Sequence, residues 1–162
     1  MLDSNVKNQI QSYIDEQLNQ NDASQTIKQP INYSISFDDI QRVDELLMNR
    51  KNTFVEHLFK LIDDSGKTDV QVYTGANISR KLFSKIRSDV TYHPSKPTVI
   101  ALALSLELDL NDANILLAKA GFALSDSDKV DLIYRYCFEN EIYDMKDVNE
   151  ILFAFNERML GL

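Results

Sequence analysis

A chain of 162 residues, 44% hydrophobic with eight Phe and seven Tyr, has the length of one ordinary domain and enough apolar material to bury a core. Its four Gly and three Pro leave little for a turn-rich β fold, and its single cysteine, Cys137, has no partner in the chain for a disulfide. A formal charge of -8 argues against coating nucleic acid by bulk charge, and neither the start of the chain nor its longest apolar run, Val99 to Leu104, suits secretion or membrane insertion.

Leu2, Val6, Ile10, Ile14 and Leu18 recur every fourth residue, which predicts one amphipathic helix from about Ser4 to Asn19. Gln20 to Ser36, rich in Asn, Gln and Ser and holding Pro30, has no periodicity and reads as a polar linker. Ser36 precedes Phe37, Asp38 and Asp39, a cap followed by acids, and Ile40, Val43, Leu46 and Leu47 supply a core face to a second helix ending near Lys51. Thr53 caps a third, whose apolar face is Phe54, Val55, Leu58, Phe59 and Ile62, and Ser65-Gly66 stops it. Two short helical segments follow, Thr68 to Gly75 and Ser79 to Ser88. Pro94 and Pro97 then open a helix whose Val99, Ile100, Leu102, Ala103 and Leu106 belong at the centre of the core. Asn111 or Asp112 begins another, with Ile115, Leu116, Leu117 and Ala120 inward and Gly121 as its stop. Ser125 or Ser127 caps a helix carrying Val130, Ile133, Tyr134 and Cys137, and Val148, Ile151, Leu152 and Phe155 mark the last.

Charge divides the chain in three. Residues 1–50 hold four basic against eight acidic residues, 123–162 hold four against nine, and 51–122 hold nine against eight. A surface that faces DNA belongs in the middle segment.

Within it, Gly66 to Arg87 (GKTDVQVYTGANISRKLFSKIR) has the spacing of a helix-turn-helix: cap, short helix, sharp turn, cap, second helix. Thr68 caps the first helix, Val72 and Ala76 share a face, Asn77 takes the left-handed turn conformation, Ile78 plugs the corner and Ser79 caps the second helix. Phe83 and Ile86 face the core. Arg80, Lys81, Ser84, Lys85 and Arg87 are left on the outer side, with no acid between Ala76 and Ser88, as a helix entering a major groove needs.

These residues resemble the phage-repressor-like, or Xre-type, helix-turn-helix family, without a gap across about fifty residues from Gly66 to Ala113. Pro94-Ser95 stands where that family has Pro-Ser or Pro-Thr opening its fourth helix, and Thr98, Val99, Ala103, Leu106 and Leu110 fall on its buried positions. The resemblance implies a five-helix core, sequence-specific binding of double-stranded DNA, and a recognition helix from Ser79 to Ser88. It implies base reading by Arg80, Lys81 and Ser84, with Lys85 and Lys67 toward phosphate and Thr68, Ser79 and Arg87 in the same interface. Symmetric repressors bind as homodimers, which makes a homodimer the matching expectation. Three positions depart from the family: Asp69 replaces a Gln on the phosphate side and would repel DNA, Tyr73 replaces a small Ala and would set the two helices further apart or tilt them, and Asn77 replaces the turn Gly. Residues 54–162 are also similar to a C-terminal helical module of varied bacterial chains, some labelled sigma-factor-like.

Other signals are weaker. Gly66-Lys67-Thr68 lacks the earlier Gly of a phosphate loop, since Leu61 stands there. Asp126, Asp128 and Asp131 lack the Gly of a calcium loop and read as helix-start acids. His57 and His93 have no ligand at metal spacing, although His93 can reach a phosphate, and Cys137 reads as a small buried residue. No catalytic arrangement, metal or cofactor is suggested, so an enzyme is the least supported class. The expectation is an all-α cytoplasmic protein with no membrane contact: an acidic N-terminal helical extension and linker over 1–50, a five-helix repressor-like core over 51–122, and a C-terminal helical extension over 123–162. Its function is read as regulatory DNA binding; the alternative is a protein-interaction adaptor that keeps the helix-turn-helix scaffold and has lost DNA.

Overall fold

The computed structural model describes residues 35–48 and 50–161, and the chain divides into two units, Met1–Asn49 and Arg50–Leu162. The expected helix from Ser4 to Asn19, and the linker apart from its last two residues, lie outside the described residues. Every regular element among the described residues is a helix. None of these helices is long and apolar enough to cross a membrane.

The first unit shows one helix, α1 (Phe37–Met48), with Ser36 Oγ accepting the Asp39 N–H at 3.2 Å. The expected core face of Ile40, Val43, Leu46 and Leu47 is instead exposed, each side chain at half its surface or more. Amphipathic spacing marks a helix with an apolar side and does not say what covers it.

In the second unit, α2 (Phe54–Ser65) starts at a reciprocal capping box between Thr53 and Glu56 and stops at Gly66, whose φ of 68° suits a residue without Cβ. It buries Phe54, Val55, Leu58 and Ile62. α3 (Asp69–Gly75) has a second capping box, Thr68 with Gln71, and α4 (Arg80–Ser88) is capped by Ser79. α5 (Lys96–Ser105) runs through the middle, buried without a break from Val99 to Ser105. Helices on several sides cover it: α3 packs most closely against it, followed by α6 (Leu110–Lys119), with α8 (Met145–Ala154) also in contact. The tight α3 to α5 approach depends on Gly75, where a Cβ would stand 2.6 Å from Ser105 Oγ. α7 (Lys129–Glu139) packs on α6 and α8.

Three helix starts and faces differ from expectation. Asp109, not Asn111 or Asp112, caps α6, which turns Ala113 inward and leaves Ile115 exposed. Asp128, not Ser125 or Ser127, caps α7. In each case the carboxylate taken reaches the N–H three residues on, at the helix start that turns Ala113 or Ile133 inward. Phe155 is exposed beyond the end of α8, and the inward position goes to Leu160, held by Asn149 from both sides: its N–H donates to Asn149 Oδ1 (2.7 Å) and its carbonyl accepts from Asn149 Nδ2 (3.1 Å).

Candidate nucleic-acid interface

α3 and α4 are joined by a sharp turn. Ala76 is buried under it, Ile78 is half-buried at its corner, and Asn77 has φ 51°, the left-handed conformation that an Asn tolerates. The Asn77 side chain does more than permit the turn. Its Nδ2 donates to the Gly161 carbonyl at 2.9 Å, so the segment after α8 crosses the turn like a strap. Gly161 has φ 71°, and a Cβ there would stand 2.8 Å from Asn77 atoms.

α4 is oriented by its apolar side. Phe83 and Ile86 are buried, while Arg80, Lys81, Ser84 and Lys85 are exposed. Tyr73 lies half-buried with its ring 5.6 Å from that of Phe83, which meets Phe59 edge-on at 5.7 Å. The aromatic side chain fills a gap that a small residue would leave, and the three rings form one cluster.

The candidate residues divide into two groups. Lys67 is held inside the unit, its Nζ donating to the Ser105 carbonyl (2.8 Å) and to Glu107 Oε1 (2.7 Å). Thr68 spends its hydroxyl on Gln71, and Ser79 Oγ accepts the Leu82 N–H at 3.1 Å. Arg87 pairs with Asp69 at 2.5 Å and lies 4.3 Å above the Phe59 ring. The pair neutralises the acid that the family pattern would not place there. The second group is free of such ties: Arg80, Lys81 and Ser84 make no side-chain ion pair or hydrogen bond to a described residue. Lys85 stands over the Tyr92 ring at 5.4 Å, and His93 is exposed nearby in sequence.

Helix ends set the local field. Six of the eight described helices carry an acid in their first turn, the placement that the positive end of a helix favours. α4 and α5 carry none. α4 begins with two cations, Arg80 and Lys81, and Ser95 at the head of α5 turns its hydroxyl to Thr98 rather than to a backbone N–H. Lys96 does not add to this charge, since it is paired at 2.6 Å with the buried Asp131.

Sequence reasoning missed several of these partners. The Asp69–Arg87 pair spans 18 residues and the Asn77–Gly161 bond 84, so neither has a local period to betray it. The acid-free starts of α4 and α5 were visible as residue types. Comparison of the chain with family models, with curated proteins and with solved structures finds no match.

Proposed function

We propose that the chain is a regulatory protein that binds double-stranded DNA, with α2 to α6 as a repressor-like five-helix core and α4 in the major groove. The observation that carries this reading is the start of α4. Two cations occupy a position where the helix field opposes them, on the exposed side and without an ion-pair or hydrogen-bond partner among the described residues. An anionic ligand would convert that cost into affinity, and a helix with a basic outer face fits the width of the groove. Arg80, Lys81, Ser84 and Lys85 are the groove-facing residues on this reading; Thr68 and Ser79 cap the helix pair, Arg87 ties it through Asp69, and Lys67 is bound to Ser105 and Glu107.

The test is fluorescence anisotropy with random genomic fragments and with fragments selected from them, over a series of salt concentrations. Binding is expected to weaken with salt by a log–log slope of roughly 0.9 per phosphate neutralised. Lys85→Glu is expected to weaken all sequences alike, whereas Arg80→Ala relaxes preference at one base, by roughly 1 to 3 kcal/mol if the guanidinium grips a guanine. No affinity at about 50 mM salt, where counterion release favours binding most, would end the DNA reading.

A second reading, the adaptor, draws on a different face. Leu132, Tyr136 and Phe155 are exposed around a groove of about 700 Å³ between α7 and α8. Exposed apolar surface gathered in one place suits a protein partner. On the adaptor reading, Leu132→Asp abolishes capture of that partner and Lys85→Glu leaves DNA affinity at zero, as it was.

A further inference from the structure

A half-open cavity of about 570 Å³ lies between the turn before α4, the start of α5, α7 and the strap that follows α8. Its size falls within the range of small-molecule sites, roughly 300 to 1,000 Å³. Ile78, Leu82, Ala101 and Val130 give it apolar walls, and Met159 and Leu160 close it from the strap. Two polar groups on this wall have no protein partner among the described residues. One is Tyr134, only 4% exposed, whose hydroxyl makes no hydrogen bond there. Arg135 Nε is the only side-chain atom among the described residues that is both fully buried and unpartnered, so the Tyr134 ring is buried while its hydroxyl is a donor open to the cavity. Burial also pushes its pKa up to about 12, which keeps the proton on it.

The other is Arg158. Its neighbour Glu157 also lines the cavity, but Lys129 holds that carboxylate at 3.0 Å, which leaves the Arg158 guanidinium as the uncompensated charge on the wall. A neutral donor, an unpaired cation and an apolar chamber together select a ligand. We propose that this cavity binds a small organic acid, an apolar body bearing one carboxylate, with the carboxylate taken by Tyr134 Oη and Arg158 and the body among Ile78, Leu82, Ala101 and Met159. The occupant would rest against Ser79, the cap of α4, so on the DNA reading above it is also a regulator of that helix.

The experiment is titration of the full chain, without DNA, followed by its amide NMR spectrum. The probes are hexanoate, octanoate and phenylpropionate, each beside the alcohol of the same carbon skeleton. At least one acid is expected to shift the Ile78, Ser79, Thr98 and Met159 amides saturably at millimolar concentration, with its alcohol roughly tenfold weaker because a charge-assisted contact is lost. Arg158→Gln, at an exposed position that leaves the core intact, and Tyr134→Phe are each expected to reduce that preference. The proposal is overturned if none of the acids gives a saturable shift, or if the alcohols bind as well as the acids and the Arg158→Gln chain prefers neither. Since DNA is absent from the titration, its failure leaves the DNA reading standing, and loss of DNA binding leaves this site standing.

Discussion

Ser105 shows how much one atom can decide. Its Oγ donates to the Val72 carbonyl at 2.7 Å and stands where a Cβ on Gly75 would have to go. Gly75→Ala is therefore expected to destabilise the protein by roughly 1 to 3 kcal/mol, as overpacking does in tight cores. The double variant Gly75→Ala/Ser105→Ala should recover part of that loss, since the crowded oxygen is gone; equal urea midpoints for single and double variants would contradict the contact. Titration offers a second check at this scale. Burial raises the Cys137 thiol from 9.0 to about 11 and the Tyr134 hydroxyl from 10.0 to about 12. Both groups keep their protons longer folded than unfolded, so their contribution is complete below pH 9 and is lost as pH rises toward 11 and 12. Each amounts to about 2 to 3 kcal/mol at most. Stability is expected to fall steeply above pH 9, and Cys137→Ala, whatever its cost at neutral pH, should remove the first part of that fall.

Single helices carry the clearest conflict between stability and use. Reversing the charge at the head of α4, Arg80→Glu, places an acid where the helix field favours one and should stabilise the free protein by about 0.5 to 1 kcal/mol. On the DNA reading, the same change should abolish DNA binding. A melting temperature that does not rise would mean that Arg80 has a partner in the folded protein. The elements were largely legible in advance: caps at Thr53, Thr68 and Ser79 stand before apolar runs, and Gly66 and Gly121 end two helices at positive φ. What slipped was the choice among neighbouring caps. Near Asp109 and Asp128 several polar residues compete, and the winner depends on which start turns Ala113 or Ile133 inward, a property of packing rather than of local sequence.

For the molecule as a whole, the outward side of α4 and the burial of Phe83 and Ile86 followed from the residue pattern, while the exposure of α1 did not. Periodicity reports that Ile40, Val43 and Leu47 share a side and is silent on what covers it. The C-terminal strap was invisible for the opposite reason, since Leu160 is buried by an irregular segment that has no period. This changes which fragment is worth making. A piece ending at residue 122 would strip α7, α8 and Leu160 from the core, whereas 50–162 keeps every residue of it. Residues 1–49 hold three basic and eight acidic side chains. If the chain binds DNA as proposed, their removal should strengthen non-specific binding, and the gain should shrink as salt screens the repulsion. Equal affinity of the two chains at low salt would show that the acidic segment stays clear of the interface.

The bond from Asn77 to Gly161 ties together residues 84 apart, and it sets an order of events during synthesis. At roughly 5 to 20 residues per second, some 4 to 17 seconds pass between the making of Asn77 and of Gly161. Through that interval the turn and α4 exist without their strap, and Ile78 and Leu82 lack the side chains of α7 and of Met159 that later wall them in. A nascent chain halted before residue 149 should thus present this apolar surface to a chaperone and to protease, and one extended past 161 should withdraw it. The stretch that ties down the turn before α4 is thus made long after that turn.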